Sequence, residues 1–305
     1  MTWKVTLPCT RAEADALQGD VAPFAALGTP PVLMTSEADH ARPDEWRLDA
    51  YFEEEPDAAT LALLKATVPS GADAEPLIER LEEEDWVTLS QQGLEPIRAG
   101  RFFVHTPRHR HGAPGDAVAL EIDAGRAFGT GHHETTTGCL LALDRLKESG
   151  VRFTNILDLG TGTGLLAFAA LKLWPTARIA ASDIDPISIE VTAENAALNA
   201  IPVGRGHGLV ELAVAAGLDH PRLRARARYD LVIANILAGP LIELAPSVGA
   251  ALEAGGRLIL AGLLDTQAES VAAAYRRQGL MTSFNIVRGD WPTLVMRKRR
   301  SLGWR

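Results

Sequence analysis

From Ile156 onward, short apolar runs alternate with longer stretches of helical periodicity. "NILDLG" (155–160), "RIAASDID" (178–185), "YDLVIANI" (229–236) and "GGRLILAGLL" (255–264) read as strands. The segments that follow them, "LLAFAALKLW", "PISIEVTAENAALNA", "LAGPLIELAPSVGAAL" and "TQAESVAAAYRRQG", read as helices. Pro175 is a stop for the first helix; Asp185 is placed to cap the second, with Pro186 at its first position. Buried strands alternating with helices predict a mostly parallel sheet covered on both faces. The end, "MTSFNIVRGDWPTLVMRKR", reads as two strands around a turn, which adds a closing antiparallel hairpin. Residues 201–228 carry no firm pattern.

The first hundred residues follow a different rhythm. "TWKVTLP", "PPVLMTS", "EWRLDAYFEE" and "PLIERLEE" predict strands, while "TRAEADALQ" and "DAATLALLKATV" predict helices. The order β-α-β-β-α-β fits a small α+β ferredoxin-like sandwich. The next stretch, "QQGLEPIRAGRFFVHTPRHRHGAPGD", is rich in Pro, Gly, Arg and His and reads as a linker. The expected organisation is therefore a domain at 1–90, a linker at 91–115 and an α/β domain of Rossmann-like form, with a seven-stranded sheet, at 116–305.

Composition narrows the partners. In 305 residues, 47% hydrophobic and 23% charged side chains are enough for the cores of two domains. No apolar signal core opens the chain and no apolar run is long enough to cross a membrane, so a cytoplasmic protein is expected. A net charge of -9 argues against nucleic acid or an anionic membrane as the main partner. Acidic residues gather at Glu53, Glu54, Glu55 and Asp57 and again at Glu82, Glu83, Glu84 and Asp85. They read either as a solvated surface or as a docking face for a lysine-rich protein. Cys9 and Cys139 lie far apart, and His105, His109 and His111 have no accompanying carboxylate or thiol pattern. No metal is expected.

Candidate chemistry centres on "DLGTGTG" (158–164). Gly160, Gly162 and Gly164 are spaced G-x-G-x-G, and Leu165 stands next in the sequence, so the dinucleotide spacing G-x-G-x-x-G is not met. No G-K-[ST] follows, which removes a phosphate loop. Asp183, 23 residues after Gly160, ends the second strand, where a carboxylate accepts hydrogen bonds from ribose hydroxyls. Strand, D-x-G-x-G-x-G, helix, strand and acid together resemble the class I S-adenosylmethionine-dependent methyltransferases. That resemblance implies S-adenosyl-L-methionine as methyl donor, its methionine part over the glycines and its ribose on Asp183.

Two further stretches narrow the resemblance. "AFGTGHHETTTGCL" (127–140) precedes the first strand and "ANILAGPLIELAP" (234–246) holds Asn235 at the end of the third. An amide oxygen there is placed to accept a hydrogen bond from a substrate amine and aim its lone pair at a methyl group. Together these segments resemble the ribosomal protein L11 methyltransferase family (PrmA), from about Asp116 through Pro246. The loop "DAGRAFGTGHHETT" keeps Phe128, Gly129, Thr130, Gly131, His133, Thr135 and Thr136 of the family pattern. It departs with Ala124 and Glu134 where prolines are usual. The resemblance implies cofactor contacts at Thr136, Gly160, Asp183 and Asn235, with Gly162 and Gly164 completing the loop. It also implies a basic protein substrate, ribosomal protein L11, gripped by the N-terminal domain. Phe128 reads as a ring packed on the cofactor or as a lid anchor, and His133 as an assisting base or a structural hydrogen-bonding group. A methyltransferase for another protein, a nucleic-acid base or a small molecule is the alternative; "NILA" stands where base-amine methyltransferases carry N-P-P-aromatic. A monomer is the simplest expectation.

Overall fold

The computed structural model describes residues 2–17, 31–37, 45–52, 54–81, 96–123 and 133–300. The chain divides into two units, Met1–Gly93 and Leu94–Arg305. In the first, β1 (Thr2–Thr10), α1 (Arg11–Ala16), β2 (Val32–Glu37), β3 (Glu45–Phe52), α2 (Ala58–Thr67) and β4 (Leu77–Leu81) follow the predicted order. The sheet is antiparallel with strand order β2-β3-β1-β4, the ferredoxin-like arrangement. Alternate residues Val5, Leu7 and Cys9 of β1 and Leu48, Ala50 and Phe52 of β3 form one core with Leu64 and Val68. Thr10 and Glu13 form a reciprocal capping box at α1. Glu13 also accepts hydrogen bonds from the backbone N–H (2.9 Å) and the hydroxyl of Ser70, tying the turn Pro69–Gly71 to the helix. Burial alone would raise the Glu13 carboxyl, but these hydrogen bonds from Ser70 and Thr10 hold it down at about 2.

The second unit corrects the expected linker. From Ile97 on, the chain is folded: β5 (Ile97–Ala99), β6 (Phe102–His105), a 3-10 segment (Pro107–Gly112) and β7 (Val118–Glu121). They form a three-stranded sheet of order β5-β6-β7, antiparallel at the first seam and parallel at the second. Residues 91–95 lie outside the described residues. The basic composition hides a short apolar run, "FFVH", whose Phe102 and Val104 join Ala99, Leu120 and Ile122 in the main core. The arginines around it are spent on carboxylates of the same unit. Arg101 pairs with Asp144, and Arg110 grips Glu121 in a two-pronged contact (2.6 and 2.5 Å).

Beyond it come α3 (His133–Glu148), β8 (Asn155–Leu159), α4 (Leu165–Leu173), β9 (Arg178–Asp183), α5 (Pro186–Leu198), β10 (Val210–Val214), α6 (Pro221–Ala225), β11 (Tyr229–Asn235), α7 (Ala238–Ala251), β12 (Leu252–Ala261), α8 (Asp265–Arg277), β13 (Leu280–Arg288) and β14 (Trp291–Lys298). The seven-stranded sheet runs β10-β9-β8-β11-β12-β14-β13, with β14 antiparallel to both of its neighbours. The unpatterned stretch 201–228 therefore supplies an edge strand, β10, and the short α6. Residue parity sorts side chains onto the two faces. Ile156, Leu231, Ile233 and Ile259 pack with α3 and α4; Leu157, Leu159, Val232, Ala234 and Leu258 pack with α7 and α8. Each such fully buried Ile, Leu or Val side chain contributes about 1.5–3 kcal/mol. Among the described residues, no helix is long and apolar enough to cross a membrane.

Candidate active site

Strand register brings the site together. Leu159 of β8 stands opposite Ser182 of β9 and Ala234 of β11. The next residue on each strand is Gly160, Asp183 and Asn235, so the three reach one level at the carboxyl ends of three adjacent strands. With strands about 4.8 Å apart, Asp183 and Asn235 flank Gly160 on either side at about that distance. This is the crevice where the strand order reverses between β8 and β11, the usual ligand edge of an open α/β sheet.

The glycine loop then turns away from the sheet with Gly160, Gly162 and Gly164 at φ +72°, +55° and +86°. Only glycine holds such angles without cost. A Cβ on Gly160 would strike the Ile236 side chain, and one on Gly164 would come within 2.8 Å of the Thr192 methyl. The loop is fixed from two directions. Gly160 and Thr161 donate their N–H groups to Ser182 O (2.8 and 2.9 Å), and Gly162 donates to Asp183 Oδ2 (2.9 Å). On the other side, the Thr192 hydroxyl donates to Gly162 O (2.8 Å) and the Asn195 amide to Thr163 O (3.1 Å). Asp183 is half-buried and uses one oxygen on Gly162 and the other on the Asp185 N–H (3.1 Å). A carboxylate has about four acceptor positions, so it can still receive two ribose hydroxyls. The donor set and the Cβ-free loop fit a nucleoside cofactor.

Asp158, first residue of the motif, is 1% exposed. Burial pushes its carboxyl up to about 7; the Thr161 hydroxyl (2.7 Å) and the Ala167 N–H (3.0 Å) pull against that, while Asp183 adds a smaller upward push. Both hydrogen bonds fall on Oδ2, leaving the buried Oδ1 without a partner among the described residues.

Of the residues expected from the sequence, the structure joins Gly160, Gly162, Gly164, Asp183 and Asn235 at one end of the sheet. Thr136 is buried in the first turn of α3. His133 begins that helix, and its side chain lies outside the described residues, as do Phe128 and Ala124. Glu134 is half-buried in the same first turn. His105 is buried, with its Nδ1 2.9 Å from Thr106 O, and the Thr106 hydroxyl lies 3.2 Å from His109 Nδ1. The sequence reading missed Thr192, Asn195 and Asn199. Their signal was present in polar residues at i, i+3 and i+7 of α5, on the face where a surface helix carries apolar ones.

A mostly parallel seven-stranded sheet closed by an antiparallel hairpin, with a three-glycine turn after its first strand and an acid ending the second, defines a class I S-adenosylmethionine-dependent methyltransferase. Comparison with known proteins carries this further. The model of the family described as ribosomal protein L11 methyltransferase (PrmA) matches residues 3–299, and the chain belongs to that family. A ribosomal protein L11 methyltransferase of Brucella melitensis biotype 2 is 48% identical over 220 residues, 72% of this chain and 74% of that protein. One from Bradyrhizobium diazoefficiens is 44% identical over 259 residues, 84% and 85% of the two chains. The crystal structure of a ribosomal protein L11 methylase from Lactobacillus delbrueckii subsp. bulgaricus superimposes with a TM-score of 0.58 at 27% identity, covering 68% of this chain and all of that one.

Proposed function

We propose that the protein transfers methyl groups from S-adenosylmethionine to amines, lysine side chains or the N-terminal α-amine, of ribosomal protein L11. The single observation that carries the site assignment is the common level of Gly160, Asp183 and Asn235 across three adjacent strands. The substrate assignment rests on membership of the family. When bound, the cofactor supplies an electrophilic methyl group on a sulfonium centre.

The chain's own residues do the rest. Asp183 accepts the ribose hydroxyls, the Gly160–Gly164 turn lies under the methionine part and Thr136 adds a hydroxyl. Asn235 ends a strand held by pairing on both sides, so its amide oxygen sits on a rigid support to accept an N–H of the incoming amine and orient its lone pair. A free lysine has a pKa of about 10.4, and desolvation in the crevice beside a cation lowers it toward the neutral, nucleophilic form. The amine's proton leaves to water, with His133 the side-chain acceptor that the family resemblance suggests; the same resemblance offers Phe128 as a cofactor contact or a lid anchor, and both side chains lie outside the described residues. The N-terminal unit serves as the grip on a basic substrate. Glu54 and Glu55 are exposed there, while Glu53 and the acidic run 82–85 lie outside the described residues. The enzyme works as a cytoplasmic monomer with no nucleic-acid partner.

The test is to incubate the purified protein with S-adenosylmethionine and unmodified L11 and record the intact mass of the substrate. Growth by whole methyl increments, lost with Asn235→Ala, is expected. Cofactor binding without any mass increase would refute the substrate assignment and direct the search to another acceptor.

A further inference from the structure

The strand β7 ends its sheet, with backbone pairing to β6 on one side only. Its other edge is covered by side chains of α5. Asn199 Oδ1 accepts from the Glu121 N–H (2.8 Å) and Asn199 Nδ2 donates to Glu121 O (2.6 Å). One helical turn earlier, Asn195 Oδ1 accepts from the Asp123 N–H (2.9 Å) and Asn195 Nδ2 donates to Asp123 O (3.0 Å). Each carboxamide thus makes the reciprocal pair of bonds that a neighbouring strand would make. The spacings agree: four residues of helix rise about 6 Å, and two residues of strand span about 6.6 Å. Helix α5 stands in for a missing strand.

The two asparagines differ in one respect. Asn195, 1% exposed, donates its second hydrogen to Thr163 O of the glycine loop, next to the Thr192 bond to Gly162 O. Asn199 instead donates to Asn195 O (2.8 Å), within its own helix. We propose that Asn195 is a positioning residue for the cofactor: it ties the glycine loop and the chain at Asp123 to one buried amide, with Thr192 as its companion on the loop. This rests on the assignment of the cofactor to that loop. Two successive loop carbonyls are held toward α5. Because C=O and N–H point in opposite directions across a trans peptide, the N–H of the peptide that follows each carbonyl is thereby turned away from the helix. The loop enters binding already in one conformation, and little ordering entropy remains to be lost when the cofactor arrives.

Asn199 provides the internal control, since it makes an equivalent seam without touching the loop. Titration calorimetry with S-adenosylmethionine and with S-adenosylhomocysteine would compare wild type, Asn195→Ala, Thr192→Val, Asn199→Ala and Asp183→Ala. Loss of a buried, hydrogen-bonded amide from a binding loop is expected to weaken the cofactor Kd about tenfold for Asn195→Ala, with a smaller loss for Thr192→Val. Asn199→Ala should stay within about twofold of wild type, although it costs comparable stability in thermal unfolding. In turnover the Asn195→Ala loss should fall on KM for the cofactor and not on KM for L11. Amide hydrogen exchange in the free protein should quicken at Gly162–Gly164 in Asn195→Ala and Thr192→Val, but not in Asn199→Ala. Equal losses of affinity in Asn195→Ala and Asn199→Ala would overturn the proposal, because the effect would then be general destabilisation. So would wild-type affinity in both Asn195→Ala and Thr192→Val alongside a weakened Asp183→Ala. Wild-type affinity in Asp183→Ala would instead refute the cofactor site itself.

Discussion

Replacing Asp158 by Asn should change how the stability of the second unit depends on pH. The carboxyl is buried, faces the Thr161 hydroxyl and the Ala167 N–H, and stands under the charge of Asp183; the Cys139 thiol, itself pushed up by burial, is a further neighbour. In the unfolded chain an aspartate titrates at about 3.9; in the fold this one titrates at about 7. Below about pH 4 it is neutral in both states, and its contribution to stability is fully present. As pH rises, the unfolded chain gives up this proton first, so the folded state binds more protons and stability falls until the folded carboxyl has also ionised. The whole effect is about 4 kcal/mol at 1.36 kcal/mol for each tenfold change, of which about 2–3 kcal/mol falls between pH 5 and pH 8. The Asp158→Asn side chain would keep an acceptor for Thr161 and Ala167 and has nothing to titrate. Its own cost, an amide group set where Oδ1 lacks a partner, is about 1–2 kcal/mol and does not vary with pH. Urea unfolding followed by circular dichroism would report chiefly on the second unit, which holds most of the helix. Stability of Asp158→Asn relative to wild type should climb by about 2–3 kcal/mol from pH 5 to pH 8. A difference that stays flat across that range would refute the reading of Asp158 as a buried acid that ionises late.

Gly164→Ala must place a Cβ at φ +86° against the Phe168 ring and the Thr192 methyl, whereas Gly150→Ala, at φ +76°, meets nothing within 4 Å. The backbone cost alone is about 1–2 kcal/mol, so Gly150→Ala should lose about that much and Gly164→Ala clearly more, together with cofactor binding; equal losses in urea unfolding would contradict the packing argument. Glu13→Gln should destabilise the N-terminal unit by about 1 kcal/mol after allowance for solvent screening. Because the Glu13 carboxyl is held down at about 2, that difference is present above about pH 4.3 and disappears as pH falls toward 2, which unfolding curves of the wild type and variant across that range would show. Neutralising the exposed Glu54 and Glu55 with Gln should raise KM for L11 at low salt and leave it unchanged at high salt, as expected for a docking attraction; salt-independent kinetics would assign these residues to a solvated surface.

The main sheet was legible because its strands are buried on both faces. "NILDL" and "YDLVIAN" are apolar runs that no surface strand would carry, and Asp185-Pro186 marks a helix start in two letters. The glycines and Asp183 were legible for a related reason, since positive φ and a strand-end acid restrict residue choice severely. What escaped was set by contacts distant in sequence. Strand β10 is an edge strand of five residues whose Glu211 is buried by ion pairs with Arg226 and Arg205, so hydrophobicity does not announce it. The segment 91–115 reads as a linker from its Pro, Gly, Arg and His content, which does not reveal that Arg101 is bound to Asp144, 43 residues on, or Arg110 to Glu121 of the neighbouring strand. Thr192, Asn195 and Asn199 fall on the stripe of α5 that should be apolar, which marks them as unusual, but what they bind follows only from the strand and loop beside them.

The seam between α5 and β7 differs in kind from those of the sheets. A ladder of main-chain bonds is indifferent to which side chains the strands carry, so point mutation can barely reach it. A seam made of carboxamides is written in the sequence and can be rewritten one residue at a time. Selection, or a designer, therefore has at positions 192 and 195 a dial for how firmly the methyl donor is held, and at 199 one for the seam alone, each of which can be turned while the strand-end residues stay as they are.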